Sequence, residues 1–271
     1  FAPEFPIEFV YSNDQVHGEW SFKGNPWMTG HTYKATGHDP HSKSLVFAAH
    51  DYTYFFDPKP GRWSRNRARA PFIPNMYVVT LATTSRGVVA WADKRTGGNA
   101  GLWRLTGEPA VWEPLQLQGE LPQKSPDRHG MAYDSKRDRL LMFSNVDVGK
   151  GDVVAYDVKS GKAEWLNARG KAKADIPSRE TIYIPELDGV LIGAHVEGKN
   201  GRPQWPLYDC ARDAWVGLEL TGADPIPKGA FNNSMGLMYD PTRRLVWAVG
   251  QNSHVHVLRI DPQSVVREEW E

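Results

Sequence analysis

The chain has 271 residues, with 32 Lys and Arg against 32 Asp and Glu, so its formal net charge is zero. This balance gives no general attraction to nucleic acid or to an anionic membrane, and no apolar run approaches the ~18 residues of a membrane-spanning helix. Cys210 is the single cysteine, which excludes a disulfide within the chain and the CxxC patterns of metal and redox sites.

The composition favours β-structure. The chain contains 11 Trp, 10 Tyr, 10 Phe, 25 Gly and 20 Pro, which indicates many short strands joined by tight turns. Its first residue is Phe1 rather than Met, so we expect a processed or excised chain, and no signal peptide is visible. The compartment is left open, with a periplasmic or extracellular location and a bacterial source favoured.

The first predicted elements are two strand-like runs, PIEFVYS and GEWSFKG, in residues 5–24. From residue 30 onward, three markers recur with a common period. Apolar runs ending in a polar residue are LVFAAH, VVAWAD, LLMFSN, VLIGAH and RLVWAVGQ, which end at His50, Asp93, Asn145, His195 and Gln251. Segments that lead from Asp through a turn to Trp include those at Asp157, Asp209 and Asp261, spaced by 52 and 52 residues. Prolines before each first run are Pro26, Pro74, Pro126, Pro177 and Pro227, at intervals of 48, 52, 51 and 50.

Each period holds four strand-like runs, which in the third copy are GMAYDSK, DRLLMFS, DVVAYDV and KAEWLNA. A four-stranded unit repeated every ~40–50 residues is typical of a β-propeller blade. We therefore predict an all-β fold, a β-propeller of four-stranded antiparallel blades with at least five blades. The blades are expected at about 30–65, 76–114, 128–168, 179–217 and 233–270, and residues 1–29 as an N-terminal segment with the outer strands of an incomplete blade.

The Tyr-Asp…Trp endings resemble those of the kelch family and of the related galactose oxidase propeller, over residues 30–271. The chain departs from the family in lacking the double glycine after the second strand, since Gly97-Gly98 lies in a predicted loop. The resemblance implies a kelch-like propeller, and because such propellers usually close with six or seven blades, this chain would be a piece of a longer protein. The alternative is a closed five-bladed ring with an N-terminal extension.

The repeat also predicts which polar residues meet. The first strand of a blade lines the channel and runs antiparallel to the second, so the start of one and the end of the other share a mouth of the channel. His31 and His50 therefore lie together, whereas His38 and His41 belong to the turn about 15–20 Å away. The turn sequences HDPHSK, SKRD, PELD and DPTR are expected to be ordinary solvated turns.

The same rule gathers a ring of His, Arg and amide side chains at one mouth. The candidate catalytic residues are His31, His50, Arg128, His129 and Arg179. The candidate ligand-binding residues are Asp93, Arg95, Asn145, His195, Asn233, Asn252 and His254. The competing interpretation is a solvated rim with internal hydrogen bonds only.

Fold does not fix function, so the functional prediction depends on this mouth. We predict a non-catalytic binding module that recognises carbohydrate or a protein partner there, since loops on a rigid scaffold commonly carry binding. We expect no cofactor, no nucleic-acid partner and no membrane partner, and the oligomeric state is left open.

Two alternatives remain for this mouth. The first is a polysaccharide-active enzyme, a lyase before a hydrolase, in which His31 and His50 remove a proton α to a carboxylate that an Arg binds. The second, weaker alternative is a divalent metal held by imidazoles, since neutral imidazole suits Zn, Cu or Ni. Its ligands would be His31, His50, His129 and His195.

The remaining Cys and Trp residues are expected to be largely structural. Cys210 is predicted to pack inside a blade, which argues against a copper-radical oxidase because that chemistry requires a cysteine crosslinked to a ligand tyrosine. Four regularly spaced tryptophans are predicted as packing anchors between blades: Trp63, Trp112, Trp165 and Trp215. Four others stand outside this register and are candidates for a sugar-stacking platform: Trp20, Trp27, Trp103 and Trp205.

Overall fold

The computed structural model describes residues 7–12, 15–20, 36–49, 52–59, 62–69, 79–92, 100–122, 129–144, 153–172, 181–222, 224–226, 235–250 and 255–270. Within these ranges every extended regular element is a β-strand, and no helix is long and apolar enough to span a membrane. The predicted all-β propeller fold is confirmed, with five antiparallel sheets forming the blades. The chain divides into two compact units, Phe1–Gln116 (unit 1) and Leu117–Glu271 (unit 2).

Unit 1 contains a hairpin and two four-stranded blades. The hairpin pairs β1 (Ile7–Ser12) with β2 (Gln15–Trp20). Blade 1 consists of β3 (Thr36–Asp39), β4 (Ser44–Ala49), β5 (Tyr52–Asp57) and β6 (Arg62–Arg69). Blade 2 consists of β7 (Val79–Thr84), β8 (Gly87–Ala92), β9 (Gly101–Thr106) and β10 (Val111–Pro114). The first strands of the two blades lie against each other.

Unit 2 contains three more blades, whose first strands are also neighbours. Blade 3 consists of β11 (His129–Asp134), β12 (Arg139–Ser144), β13 (Val153–Asp157) and β14 (Ala163–Trp165). Blade 4 contains β15 (Thr181–Ile184), β16 (Gly189–Ile192), the short β17 (Val196–Glu197), β18 (Pro203–Asp209) and β19 (Ala214–Glu219). Blade 5 contains β20 (Met235–Asp240), β21 (Leu245–Gly250) and β22 (Val255–Arg259).

The last strand, β23 (Arg267–Glu269), pairs antiparallel with β19 of blade 4. The run that ends at Trp270, expected as the fourth strand of the last blade, thus extends the outer edge of the preceding blade. Blade 5 has three strands among the described residues, and the exposed side chains of β22 include Val255 and Val257.

The blades are held together by apolar packing between their faces. All six residues of β8 and all four of β16 are buried, so these second strands are covered on both faces. The Trp112 indole donates to Thr53 Oγ1 of the preceding blade at 2.6 Å, and the rings of Trp215 and Phe143 lie 5.6 Å apart across blades 3 and 4. The predicted role of these two tryptophans as inter-blade anchors is confirmed.

The turns between strands follow one pattern. An Asp at the end of the strand accepts backbone N–H groups two and three residues later, as Asp134, Asp209 and Asp240 do. The residue four positions after the last residue of the preceding strand has a positive φ, between 46° and 57°, in five turns. These residues are Lys43, Asp138, Asp188, Asp213 and Arg244. The pattern explains the recurring Asp-rich turn sequences, since Asp supports both the acceptor role and the left-handed conformation.

Ion pairs join the turns of neighbouring blades in unit 2. Arg137 of blade 3 contacts Asp134 in its own turn at 3.0 Å and Asp188 of blade 4 through two hydrogen bonds of 2.8 and 2.9 Å. Within the sheet of blade 4, Arg267 of β23 binds Asp209 at 2.6 Å. Between blades 5 and 4, the Tyr239 hydroxyl donates a hydrogen bond to Glu186 at 2.5 Å. The prediction of ordinary solvated turns is therefore wrong for these turns, since Asp134 is fully buried and the turns bind side chains of neighbouring blades.

Asp188 gives the fold a testable pH dependence. The hydrogen bonds from Arg137 lower the pKa of Asp188 well below its ordinary value. A carboxyl group whose pKa is lowered by folding contributes stability above its unfolded pKa of about 4 and loses that contribution as the pH falls toward the folded pKa. We expect Asp188→Asn to cost about 1–3 kcal/mol at neutral pH and to flatten the loss of stability between about pH 5 and pH 2. Urea unfolding at several pH values measures both the loss of stability at neutral pH and its dependence on pH. Glu164→Gln, which removes an exposed ion pair with Lys162, is the control and should leave the pH dependence of stability unchanged.

A second prediction tests where β23 lies. Gly170 has a φ of +71°, and a Cβ added there would sit 2.1 Å from the carbonyl oxygen of Trp270. Gly201 has a similar φ of +74° but open space around it. Gly201→Ala should therefore cost about 1–2 kcal/mol for the left-handed conformation, and Gly170→Ala about 1–3 kcal/mol more for the clash with backbone. Equal costs in chemical unfolding would contradict the packing of Trp270 against this turn.

Candidate functional site

Most of the predicted mouth residues lie outside the described side chains. His129 begins β11 and pairs with Ser144 at the end of β12, so the start of a first strand and the end of a second strand are adjacent in blade 3. The side chain of His129 is outside the described part. The other residues outside it are His31, His50, Asp93, Arg95, Arg128, Asn145, Arg179, Asn233, Asn252 and His254. Their roles remain predictions.

The remaining histidines of the first blade lie toward the other end. His38 is in β3, next to the β3–β4 turn, and its backbone N–H donates to Thr83 Oγ1 at 2.8 Å. His41 is in that turn, and its backbone N–H donates to Asp39 Oδ1 at 3.2 Å. We call this end of the blades, which carries the turns between first and second strands, the turn end, and the opposite end the mouth end.

His195 is the predicted site residue whose side chain the structure describes. It follows β16 at the mouth end of blade 4, and its side chain is 18% exposed. His195 Nδ1 lies 2.5 Å from Oδ2 of Asp224, whose side chain is 8% exposed. The other oxygen of Asp224, Oδ1, accepts the Trp205 indole N–H at 3.0 Å and the Ile226 backbone N–H at 2.9 Å. The imidazole is therefore held by a buried carboxylate that is itself fixed.

This arrangement defines the chemistry of the imidazole. A carboxylate only accepts hydrogen bonds, so the short contact requires the proton to lie on Nδ1 of His195. In the neutral ring, Nε2 is then a hydrogen-bond acceptor. Fixing one nitrogen through a carboxylate sets both the tautomer and the orientation of the ring, which suits a His that binds a donor group or takes up a proton.

Asp224 was not among the predicted site residues, and Trp205 was expected only as a candidate sugar-stacking platform. Gly119, Gly170 and Gly222 follow the outer strands of blades 2, 3 and 4, are spaced by 51 and 52 residues, and all have positive φ. Two residues after each stand Leu121, Ala172 and Asp224. The carboxylate that replaces an apolar residue in one copy is the signal that could have identified Asp224.

Trp205, a candidate sugar platform from the sequence, is fully buried and donates to Asp224. It therefore supports the His195–Asp224 pair and offers no ring face to a ligand.

Cys210 is buried in blade 4, where it is 2% exposed, as predicted. Burial raises the pKa of the Cys210 thiol to about 12, so the thiolate that reacts or binds metal is strongly disfavoured. Among the described side chains, no group of three or more His, Cys, Asp or Glu could hold a metal ion. The proposed imidazole site for a metal involves His31, His50 and His129, which lie outside that set, and stays a prediction.

No protein-family model matches the sequence, and no curated protein matches it. Among solved structures, TolB from Acinetobacter baumannii is 10% identical, with a TM-score of 0.46 over 82% of this chain and 53% of TolB. A chain of a mitotic checkpoint complex is 13% identical, with a TM-score of 0.46 over 89% of this chain and 80% of that one. An auxiliary nutrient-binding protein from Bacteroides thetaiotaomicron is 12% identical, with a TM-score of 0.46 over 84% and 57%.

These similarities carry no argument about function at such low identity and TM-score. The chain spans about half the length of TolB. The kelch-like assignment is not supported by a family match and remains a prediction.

The His195–Asp224 pair gives a third prediction. In Asp224→Asn the side-chain oxygen can still accept from Trp205 and Ile226, but the amide N–H₂ then faces Nδ1, which must lose its proton and become an acceptor. We expect the His195 tautomer to change from Nδ1–H to Nε2–H, measured by ¹⁵N chemical shifts of the ring.

The matched variant Asp224→Ala leaves the buried indole N–H of Trp205 without its acceptor. It should cost about 1–3 kcal/mol in unfolding experiments. An unchanged tautomer in Asp224→Asn would show that the carboxylate does not determine which ring nitrogen of His195 carries the proton.

Proposed function

We propose that the protein is a ligand-binding β-propeller that recognises a glycan at the mouth end, with His195 as one of its contact residues. The observation that supports this most directly is the fixed imidazole of His195, mostly buried and held through Nδ1 by Asp224. An acceptor nitrogen of fixed direction suits the hydroxyl donors of a sugar, because little conformational entropy is lost when the contact forms.

The surrounding architecture is consistent with a rigid platform. Around His195, the core of blade 4 includes the fully buried Trp205 and Leu207, and ion pairs at the turn end join this blade to blade 3. Rigid scaffolds with functional loops at one end are a common design of binding proteins. The predicted ring of Arg, His and Asn would complete the site, with Arg179 and Asn233 nearest in the chain order to His195. A protein partner at this mouth is the alternative ligand.

A second candidate function is general-base catalysis on an acidic polysaccharide. The His195–Asp224 pair has the geometry of a base and its orienting carboxylate, with the two groups in hydrogen-bond contact. In this reaction, a neutral imidazole would remove the proton α to a uronate carboxylate while an Arg binds that carboxylate. The predicted histidines His31 and His50 remain the other candidates for this base.

A screen of neutral and acidic glycans, and of protein extracts, tests the binding function. We expect wild-type protein to bind at least one glycan, and His195→Ala to weaken that binding by at least about tenfold. Asp224→Asn should weaken it as well, since Nε2 becomes a donor. His256→Ala, which removes an exposed histidine on β22, should have no effect.

Assaying the same acidic glycans for newly formed unsaturated ends separates the two functions. Binding without new ends supports the binding module and removes the lyase. New ends that disappear in His195→Ala would replace the binding module by the enzyme. Full binding by His195→Ala would contradict a role for this residue.

A further inference from the structure

A cavity of about 830 Å³ lies at the turn end of the two blades of unit 1. One wall is the β3–β4 turn of blade 1, with His41 and Ser42. The other is formed by β9 and the β9–β10 turn of blade 2, with Arg104 and Thr106. Small-molecule sites in proteins commonly have volumes of about 300–1,000 Å³, so the cavity can hold a ligand of mono- or disaccharide size.

Hydrogen bonds within and between the blades fix the walls of this cavity. The Asp39 carboxylate accepts the backbone N–H of His41 at 3.2 Å, the backbone N–H of Ser42 at 3.1 Å and the Ser42 hydroxyl at 2.7 Å. Asp39 is also 8% exposed, so its charge is committed to its own turn. The bond from His38 N–H to Thr83 Oγ1 ties this turn region to blade 2. The β3–β4 wall of the cavity is therefore held in place before a ligand binds.

Two polar atoms in the β9 wall lack partners. Arg104 Nε and Thr106 Oγ1 are buried, and neither has a hydrogen-bond partner among the described residues. Residues two apart on a strand point to the same face, so the two side chains lie side by side. Buried polar groups are nearly always satisfied, and an exception in a cavity wall calls for an explanation. A ligand that meets the guanidinium group and the hydroxyl would supply the missing partners.

The charges and apolar groups of the cavity specify the ligand further. Arg86 joins Arg104 as a second guanidinium in the lining, and the exposed Glu108 lies at the β9–β10 turn. A guanidinium group pairs most strongly with a planar or tetrahedral oxyanion. Phe55 and Ala110 add partly buried apolar surface to the lining, against which the face of a compact ring can pack.

We propose that this cavity is a second ligand site, separate from the mouth end, that binds a small acidic sugar. The oxyanion of the sugar accepts hydrogen bonds from Arg104 and Thr106, and its ring lies against Phe55. Carboxylate in a uronic acid and phosphate in a sugar phosphate share this chemistry. Binding requires small rotations of the Arg104 and Thr106 side chains, because Arg104 Nε and Thr106 Oγ1 are both covered in the free protein.

Isothermal titration of the whole chain with glucuronate, glucose 6-phosphate, glucose and inorganic phosphate tests this site. We expect at least one of the two acidic sugars to bind, and glucose and inorganic phosphate to bind at least about tenfold more weakly. The tighter of the two acidic sugars identifies the oxyanion as carboxylate or phosphate. Three results would each overturn the proposal. They are glucose binding as tightly as both acidic sugars, binding of inorganic phosphate alone, and no binding of any of the four compounds.

Variants locate the binding. Arg104→Met should weaken it by at least about tenfold. Thr106→Val should weaken it severalfold without lowering the Tm, because it removes a buried hydroxyl that has no hydrogen-bond partner among the described residues. Arg259→Met, on the exposed strand β22, is the matched control and should bind normally. Unchanged binding in both Arg104→Met and Thr106→Val would place the ligand elsewhere.

The two sites are distinguished by His195→Ala. This variant changes the mouth end of unit 2, so it should retain acidic-sugar binding in the cavity even if glycan binding at the mouth is lost. Loss of the titration signal in His195→Ala would assign the acidic sugar to the mouth end and overturn the second site.

Discussion

The packing of blade faces against each other is the constraint on which this structure depends. A single four-stranded blade cannot cover its own second strand, since that strand is apolar on both faces and needs a neighbour on each side. The fully buried strands β8 and β16 show this directly. The tryptophans of successive blades add specific contacts between them, such as the Trp112–Thr53 hydrogen bond, which combines a large apolar area with one polar contact.

This packing makes the two ends of the blades chemically different. At the turn end, Asp side chains close the turns, and in unit 2 their charges are paired with Arg side chains of adjacent blades, as Asp188 is with Arg137. In three of the five turns the left-handed residue is itself an Asp, a residue type that tolerates this conformation. At the mouth end, Asp224 in the connection after β19 orients His195.

The two candidate sites illustrate two ways in which a repeat acquires function. In blade 4, one copy departs from the repeat, with a carboxylate where the other copies have Leu121 and Ala172. In unit 1, polar residues of β9 line a gap between two blades, and Arg104 Nε and Thr106 Oγ1 are left without partners within the described protein. Each is compatible with the fold because the surrounding apolar packing supplies the stability.

The amino-acid sequence by itself determined the all-β propeller, the second strands and the inter-blade role of Trp112 and Trp215, because period and apolar patterning are local properties of the chain. It also predicted His195 at the end of a second strand, and Cys210 in the interior. Only the tertiary structure decided that Asp224 holds His195, that Trp205 is buried, that β23 pairs with β19, and that the Asp-rich turns carry ion pairs between blades. These contacts join residues 19 to 53 positions apart, and the spacing of a repeat does not specify which of them meet.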